Sequence, residues 1–377
     1  MRSITIVSSY PLSEPVVKNR LEPIIRSFRA HDIKINLVCP QGGSLCSDLE
    51  SYVNYIGLRL PSRPTRGFII RAFFEYKIAK RLLKTAGRLG SSATLVTVPS
   101  MFLLMAFVSK SDQNYVDIRD LTWEYLSDRR FVAGLAKKFF RMRVRAKIKK
   151  FDLVSVTNQT EKEYVTSRLE VGAQKVVYLP NGIGLSQFDM LGAVPSASKL
   201  TDIIKVYYIG NVGLAQDLST LVAAAQKLPH FQFFVVGEGT DFVRVRDQAI
   251  SAKLQNMTFT GRVSWEDVPA YYADADILYA QLTSDYSGAM PSKLYEYLAS
   301  GKYIIYGGEK QAISVLKDFD HNLVVPPSDS PALVDALLEV EKSGAWRDFS
   351  KNNRELISKL YIREHTAMNL VNRVIDL

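Results

Sequence analysis

The segment Met290-Pro291-Ser292-Lys293-Leu294-Tyr295-Glu296-Tyr297-Leu298-Ala299-Ser300-Gly301 concentrates residue types that can do chemistry together. A proline stands where a helix would begin and a glycine where it would end. The free N–H groups of such a start favour an anion, and Lys293 adds a point charge suited to phosphate. Glu296 follows three residues later on the same face, where its carboxylate can accept hydrogen bonds from two neighbouring sugar hydroxyls. Ser292, Lys293, Leu294 and Glu296 are therefore candidate ligands for a diphosphate with a ribose attached, as in a nucleotide-sugar. The same residues also read as an ordinary capped amphipathic helix with solvated charges.

Other chemistry is sparse. His31, His230, His321 and His365 are dispersed and form no metal or triad spacing. Cys39 and Cys46 build no disulfide framework and read as free thiols. Asp274-Ala275-Asp276 mimics an Asp-x-Asp metal site, but its context reads as a helix end running into a strand, so no metal is expected.

The elements that must hold these residues alternate. In the first half, Ile4–Ser8, Ile35–Val38, Leu95–Val98, Val116–Ile118, Leu153–Val156 and Lys175–Leu179 read as strands. Amphipathic stretches such as Val16–Ala30, Phe68–Leu89 and Ala133–Phe151 separate them. The second half repeats the plan from Lys205–Ile209 to Leu323–Val324. Such alternation predicts parallel, doubly wound α/β sheets, and 377 residues suffice for two domains. We expect an N-terminal domain over 1–184, a linker over 185–203, a second domain over 204–355, and a C-terminal helix within 356–377 returning to the first domain. Ligands should sit at the carboxyl ends of the strands, in a cleft between the two domains.

Charge is unevenly placed. Residues 1–190 hold 30 Lys and Arg against 16 Asp and Glu, within a chain of net charge +10. Arg129–Phe151 contains ten basic residues and no acidic one, interleaved with Phe131, Leu135, Phe139, Phe140, Val144 and Ile148. Arg71–Arg88 is a second basic stretch. Basic amphipathic helices suit an anionic membrane surface; surface helices of an α/β domain, or nucleic-acid contacts, are the alternatives. The membrane is the reading preferred for 71–88 and 129–151. No run of residues approaches a membrane span, and Met1–Ser9 is too short and polar for a signal peptide, reading instead as a first strand.

Five ordered segments resemble family 4 glycosyltransferases of the GT-B fold, in particular a bacterial surface-polysaccharide subgroup (lipopolysaccharide O-antigen or capsule). They are Val116-Asp117-Ile118-Arg119-Asp120-Leu121-Thr122-Trp123-Glu124; Leu179-Pro180-Asn181-Gly182-Ile183 with Phe188; Tyr208-Ile209-Gly210-Asn211-Val212-Gly213 with Leu218; Val235-Val236-Gly237-Glu238-Gly239 with Phe259-Thr260-Gly261-Arg262-Val263; and the Pro-Ser-Lys-Leu-x-Glu-Tyr helix. A lone Gly-x-Gly is weak; the shared order is specific.

The resemblance implies two Rossmann-like domains, the first binding acceptor and the second binding a UDP- or GDP-linked donor. It implies retaining transfer of a hexosyl or N-acetylhexosaminyl group to a glycan or polyprenyl-linked acceptor, without metal or other cofactor. It also implies a cytoplasmic protein at the inner membrane face, without nucleic acid. Donor contacts fall on Asn211, Gly213, Gly237, Arg262 and the Val263 backbone, as well as on the Lys293 helix. Asp120, with Asp117 and Glu124 as fallbacks, occupies the catalytic place; Arg119 and Trp123 face the acceptor. The sequence departs from the family pattern. Asn211 and Gln216 replace a usual Arg and Lys, and Gly288 replaces the first glutamate of a Glu-x7-Glu pair. A nucleotide-sugar epimerase of the same fold and a non-catalytic basic binding protein are the competing readings.

Overall fold

The computed structural model describes residues 1–61, 68–98, 100–119, 121, 124, 131–192, 203–288 and 290–377. Two compact units form: unit 1 comprises Met1–Asn181 and Arg363–Leu377, and unit 2 comprises Gly182–Ile362. Asp120 and Trp123, singled out above, lie outside the described residues, as does 193–202 of the expected linker.

Unit 1 is built on seven strands: β1 (Ser3–Ser8), β2 (Lys34–Pro40), β3 (Val53–Leu58), β4 (Ala93–Val98), β5 (Gln113–Ile118), β6 (Leu153–Val156) and β7 (Val176–Tyr178). Their order is β3-β2-β1-β4-β5-β6-β7 and every pairing is parallel. Central strands such as β4 are buried on both faces, which is why they read as continuous apolar runs. The edge strand β3 escaped the sequence reading because Asn54 and Gly57 interrupt its apolar pattern and most of its residues are partly or fully exposed. Apolar clusters cover both faces of the sheet. One contains Leu82, Phe107, Val144 and Ile148; the other contains Leu21, Phe28, Leu37 and Val371. The terminal helix Arg363–Ile375 packs on helix Pro15–Arg29 within this unit.

Unit 2 repeats the plan with β8 (Lys205–Ile209), β9 (Gln232–Val236), β10 (Met257–Gly261), β11 (Ile277–Gln281), β12 (Tyr303–Gly307) and β13 (Asn322–Val325), in the order β10-β9-β8-β11-β12-β13, again all parallel. The strand order reverses between β8 and β11, the switch point at which open α/β sheets bind ligands. Two differences from the sequence reading concern this unit. Residues 185–203 were read as a linker, but Leu185–Gly192 is a helix whose Phe188 and Leu191 join the core of unit 2. The C-terminal helix is also two helices. Lys351–Leu360 belongs to unit 2 and Arg363–Ile375 to unit 1, so the chain changes unit at Ile362.

Candidate functional site

The site grows from β8 and the helix Lys293–Ser300. Along β8, Tyr207 joins one apolar cluster and Tyr208 the other, as strand alternation requires. Tyr207 stacks on Phe234 with ring centroids 4.4 Å apart. The helix begins two residues later than its proline suggested: Ser292 is the N-cap and Lys293 the first helical residue. Leu294 N–H donates to the Pro291 carbonyl and Tyr295 N–H to that of Ser292, so these amides close a tight first turn instead of pointing at a ligand. The helix ends at Gly301 in the left-handed region (φ +71°), where a Cβ would lie 2.6 Å from the Phe349 ring. Tyr297 fixes the helix to the sheet. Its hydroxyl accepts from Ile209 N–H at 2.8 Å and lies 3.2 Å from the carbonyls of Ile209 and Tyr279. Leu294 is fully buried in the core, so its side chain takes no part in a binding surface.

This framework opens a cavity of about 800 Å³ at the carboxyl ends of β8–β11. Asn211, Gly237, Arg262, Val263, Ser292, Lys293 and Glu296, the residues expected above to contact a donor, line it. Gly213 stands beside it, with its N–H donating to Gln216 Oε1 at 3.0 Å. Two glycines are demanded by close backbone approach. A Cβ on Gly237 (φ +131°) would fall 2.1 Å from the Gly210 carbonyl oxygen, and one on Gly239 2.1 Å from that of Val212. The amides of Gly210, Val212 and Gly237 are consumed in stitching these loops together.

Lys293 is the cationic centre. Its Nζ lies 3.7 Å from the Tyr208 ring centroid and donates to the Tyr208 hydroxyl. Burial of the amine lowers its pKa from 10.5 to about 7, against a smaller opposing pull from Glu296. The residue as a whole is half-buried, and the amine is the part withdrawn from water. Glu296 accepts from the Tyr272 hydroxyl at 3.2 Å, leaving its carboxylate at the cavity wall. Arg262 lines the cavity with an exposed guanidinium.

The sequence reading passed over Trp265, Glu238 and Tyr286 as site residues, yet all three line the cavity. Glu238 was visible as the variable residue of its Gly-x-Gly. Tyr286 lies two residues before Gly288, where the sequence departs from the family's first glutamate. Trp265 gave no signal beyond following a strand end. Asp274 and Asp276, set aside as a metal motif, are engaged within the unit: Asp274 by Lys205 and Tyr207, and Asp276 by the Lys205 amide. Among the described residues, no group of three His, Cys, Asp or Glu could hold a metal ion.

In unit 1, Glu124, Asp117 and Arg119 have structural partners, while Asp120 and Trp123 lie outside the described residues. Glu124 is bound by Arg141 at 2.8 Å, by Lys137 at 3.4 Å and by the Tyr164 hydroxyl. Burial pushes its carboxyl up, but the Arg141 and Tyr164 hydrogen bonds outweigh it and hold the pKa below the ordinary value. Such a clamped carboxylate is a poor proton carrier. Asp117 is fully buried and receives Arg20 on both oxygens, at 3.0 and 2.6 Å, together with Ser155 Oγ at 2.7 Å. Arg119 donates to the Val16 carbonyl at 3.0 Å.

Residues 196–356 match the family model described as "Glycosyl transferases group 1". That span covers most of unit 2, including the whole cavity. The phosphatidyl-myo-inositol mannosyltransferase of Mycobacterium leprae (strain TN) is 26% identical over 184 residues. The match covers 48% of each chain, so it spans about half the length of that relative. Anabaena HepE, solved in complex with UDP, is similar over 100% of both chains with a TM-score of 0.71 and 13% identity. The lipopolysaccharide outer core galactosyltransferase WaaB is similar over 99% of both, with a TM-score of 0.68 and 13% identity. The two parallel-sheet, Rossmann-like units have the GT-B fold.

Proposed function

We propose that this chain is a retaining glycosyltransferase that moves a hexosyl or N-acetylhexosaminyl group from a UDP- or GDP-sugar to a membrane- or lipid-linked glycan in surface-polysaccharide assembly. The observation that carries the reading is the cavity at the β8–β11 switch point, where Lys293, Glu296 and Arg262 converge beside glycines that admit close backbone approach. A diphosphate needs a cation and a ribose needs an acceptor for its hydroxyl hydrogens; Lys293 with Arg262, and Glu296, in the cavity lining support this reading. The match to glycosyl transferases group 1 over the same residues supports it, as do the fold likenesses to a UDP-bound protein and to a lipopolysaccharide galactosyltransferase.

The acceptor side of the proposal rests on unit 1. Helix Phe131–Ile148 buries Phe140, Val144 and Ile148 in the core and turns Leu135, Phe139 and Met142 outward. Helix Phe68–Ala86 likewise exposes Ile70 and Phe73. Apolar side chains among lysines and arginines suit a shallow seat in an anionic bilayer face, which supports a peripheral position at the inner membrane. No helix among the described residues is long and apolar enough to span a membrane.

The test is a thermal-shift screen of nucleotides, followed by donor-hydrolysis and transfer assays with UDP- and GDP-sugars. Binding of one nucleoside diphosphate with turnover of its sugar is expected. Absence of both nucleotide binding and turnover would reject the enzyme reading in favour of a non-catalytic basic protein.

A further inference from the structure

We infer that Tyr208 is a positioning residue that sets where the Lys293 amine sits and joins it to the loop following β8. The inference deepens the proposed donor site and rests on that reading for its functional meaning. Tyr208 is fully buried in β8, two residues before the glycine loop. Its hydroxyl does two things at once: it accepts from Lys293 Nζ and donates to the Asn211 carbonyl. Its ring centroid lies 3.7 Å from the same amine, within the range of a cation–π contact.

The chemistry of the surroundings makes this hydroxyl consequential. Asn211 and Gln216 are neutral, so Lys293 carries the positive charge on this side of the cavity. The titratable and charged groups around the Tyr208–Lys293 pair are Tyr279 from β11, Tyr297 and Glu296 from the helix itself, Glu238 following β9 and Arg262 following β10. The Tyr297 hydroxyl is committed to backbone groups and Glu296 accepts from Tyr272. Tyr208 therefore supplies the neutral oxygen on which the ammonium rests, oriented by its own bond to Asn211. A buried ammonium that loses a hydrogen-bond acceptor gives up its proton more readily.

The experiment compares wild type with Tyr208→Phe, which keeps the ring and deletes the hydroxyl. In the ligand-free protein, the pH dependence of Lys293 acetylation by acetic anhydride, read by mass spectrometry, should move its midpoint down by about half a unit or more. UDP and GDP are then titrated by calorimetry between pH 6 and 9. For whichever nucleotide binds, affinity at pH 7.5 should fall by about three- to tenfold, with the decline beginning at lower pH than in wild type. An unchanged acetylation midpoint in a variant with unaltered circular dichroism would overturn the inference. Failure of both nucleotides to bind wild type would instead count against the donor-site reading, while the acetylation midpoint would still decide the role of Tyr208. Should Tyr208→Phe not fold, Tyr208→Trp, which also lacks the hydroxyl, serves for the same midpoint measurement.

Discussion

Replacing Lys293 by Met should stabilise the ligand-free protein while weakening diphosphate binding. The amine's pKa falls from 10.5 to about 7 on folding because burial disfavours its charge. At about 1.4 kcal/mol per pKa unit, that shift corresponds to roughly 5 kcal/mol. The unfolded chain holds the proton more tightly than the native one, so the penalty is fully present below about pH 7. It disappears as pH rises toward 10.5. Methionine has a similar length and no charge to bury. Urea unfolding of both proteins, followed by tryptophan fluorescence, should show the variant more stable by at most roughly 4 kcal/mol near pH 7, with the difference shrinking by about 1.4 kcal/mol per pH unit above it. For nucleotide binding the dependence has the opposite consequence. A diphosphate keeps the amine charged, so wild-type affinity should be flat below pH 7 and fall up to tenfold per unit above it, whereas the variant's weaker affinity should lack this dependence. A variant no more stable than wild type at pH 7, or a stability difference independent of pH, would refute the reasoning.

Three further outcomes follow from named contacts. Glu296→Gln should lower nucleotide affinity by about tenfold in calorimetry without changing the melting temperature appreciably, because it removes a charged hydrogen-bond acceptor facing the cavity. Gly237→Ala should cost at least about 2 kcal/mol in urea unfolding, since its Cβ would collide with the Gly210 carbonyl oxygen from a positive φ. Changing Leu135, Phe139 and Met142 together to Ser should release the protein from anionic vesicles in a sedimentation assay and leave its melting temperature unchanged, because all three side chains face outward. Equal sedimentation would reject the seat on the bilayer.

The basic stretch 129–151 shows how far charge can be read without coordinates. Its inward apolar row was legible from spacing, because Phe140, Val144 and Ile148 recur at helical period. Which cations stay available was not. Lys137 and Arg141 are held by Glu124, while Arg145 and Lys149 are held by Glu170, a residue beyond the helix. The same limit applies to Glu124, whose place in a motif said nothing of the three groups that clamp it. Long-range pairing depends on which elements become neighbours, and local pattern does not encode that.

The proposed donor site divides along a similar line. Lys293 and Glu296 were readable because both sit on one helix, where spacing fixes geometry. The floor beneath Lys293 was not, since Tyr208 reaches it from β8, a different element. The substitutions at Asn211 and Gln216 acquire a physical meaning only with that floor in view. With neutral residues there, Gln216 closes the loop by accepting from the Gly213 amide, and positive charge for a diphosphate falls to Lys293 and to Arg262 across the cavity. A site with one buried, half-protonated amine near neutral pH gains its full charge when an anion arrives. Binding and proton uptake are then one event. On the proposed reading, that coupling would let a loop short of cations serve a diphosphate, and nucleotide affinity is expected to depend on pH.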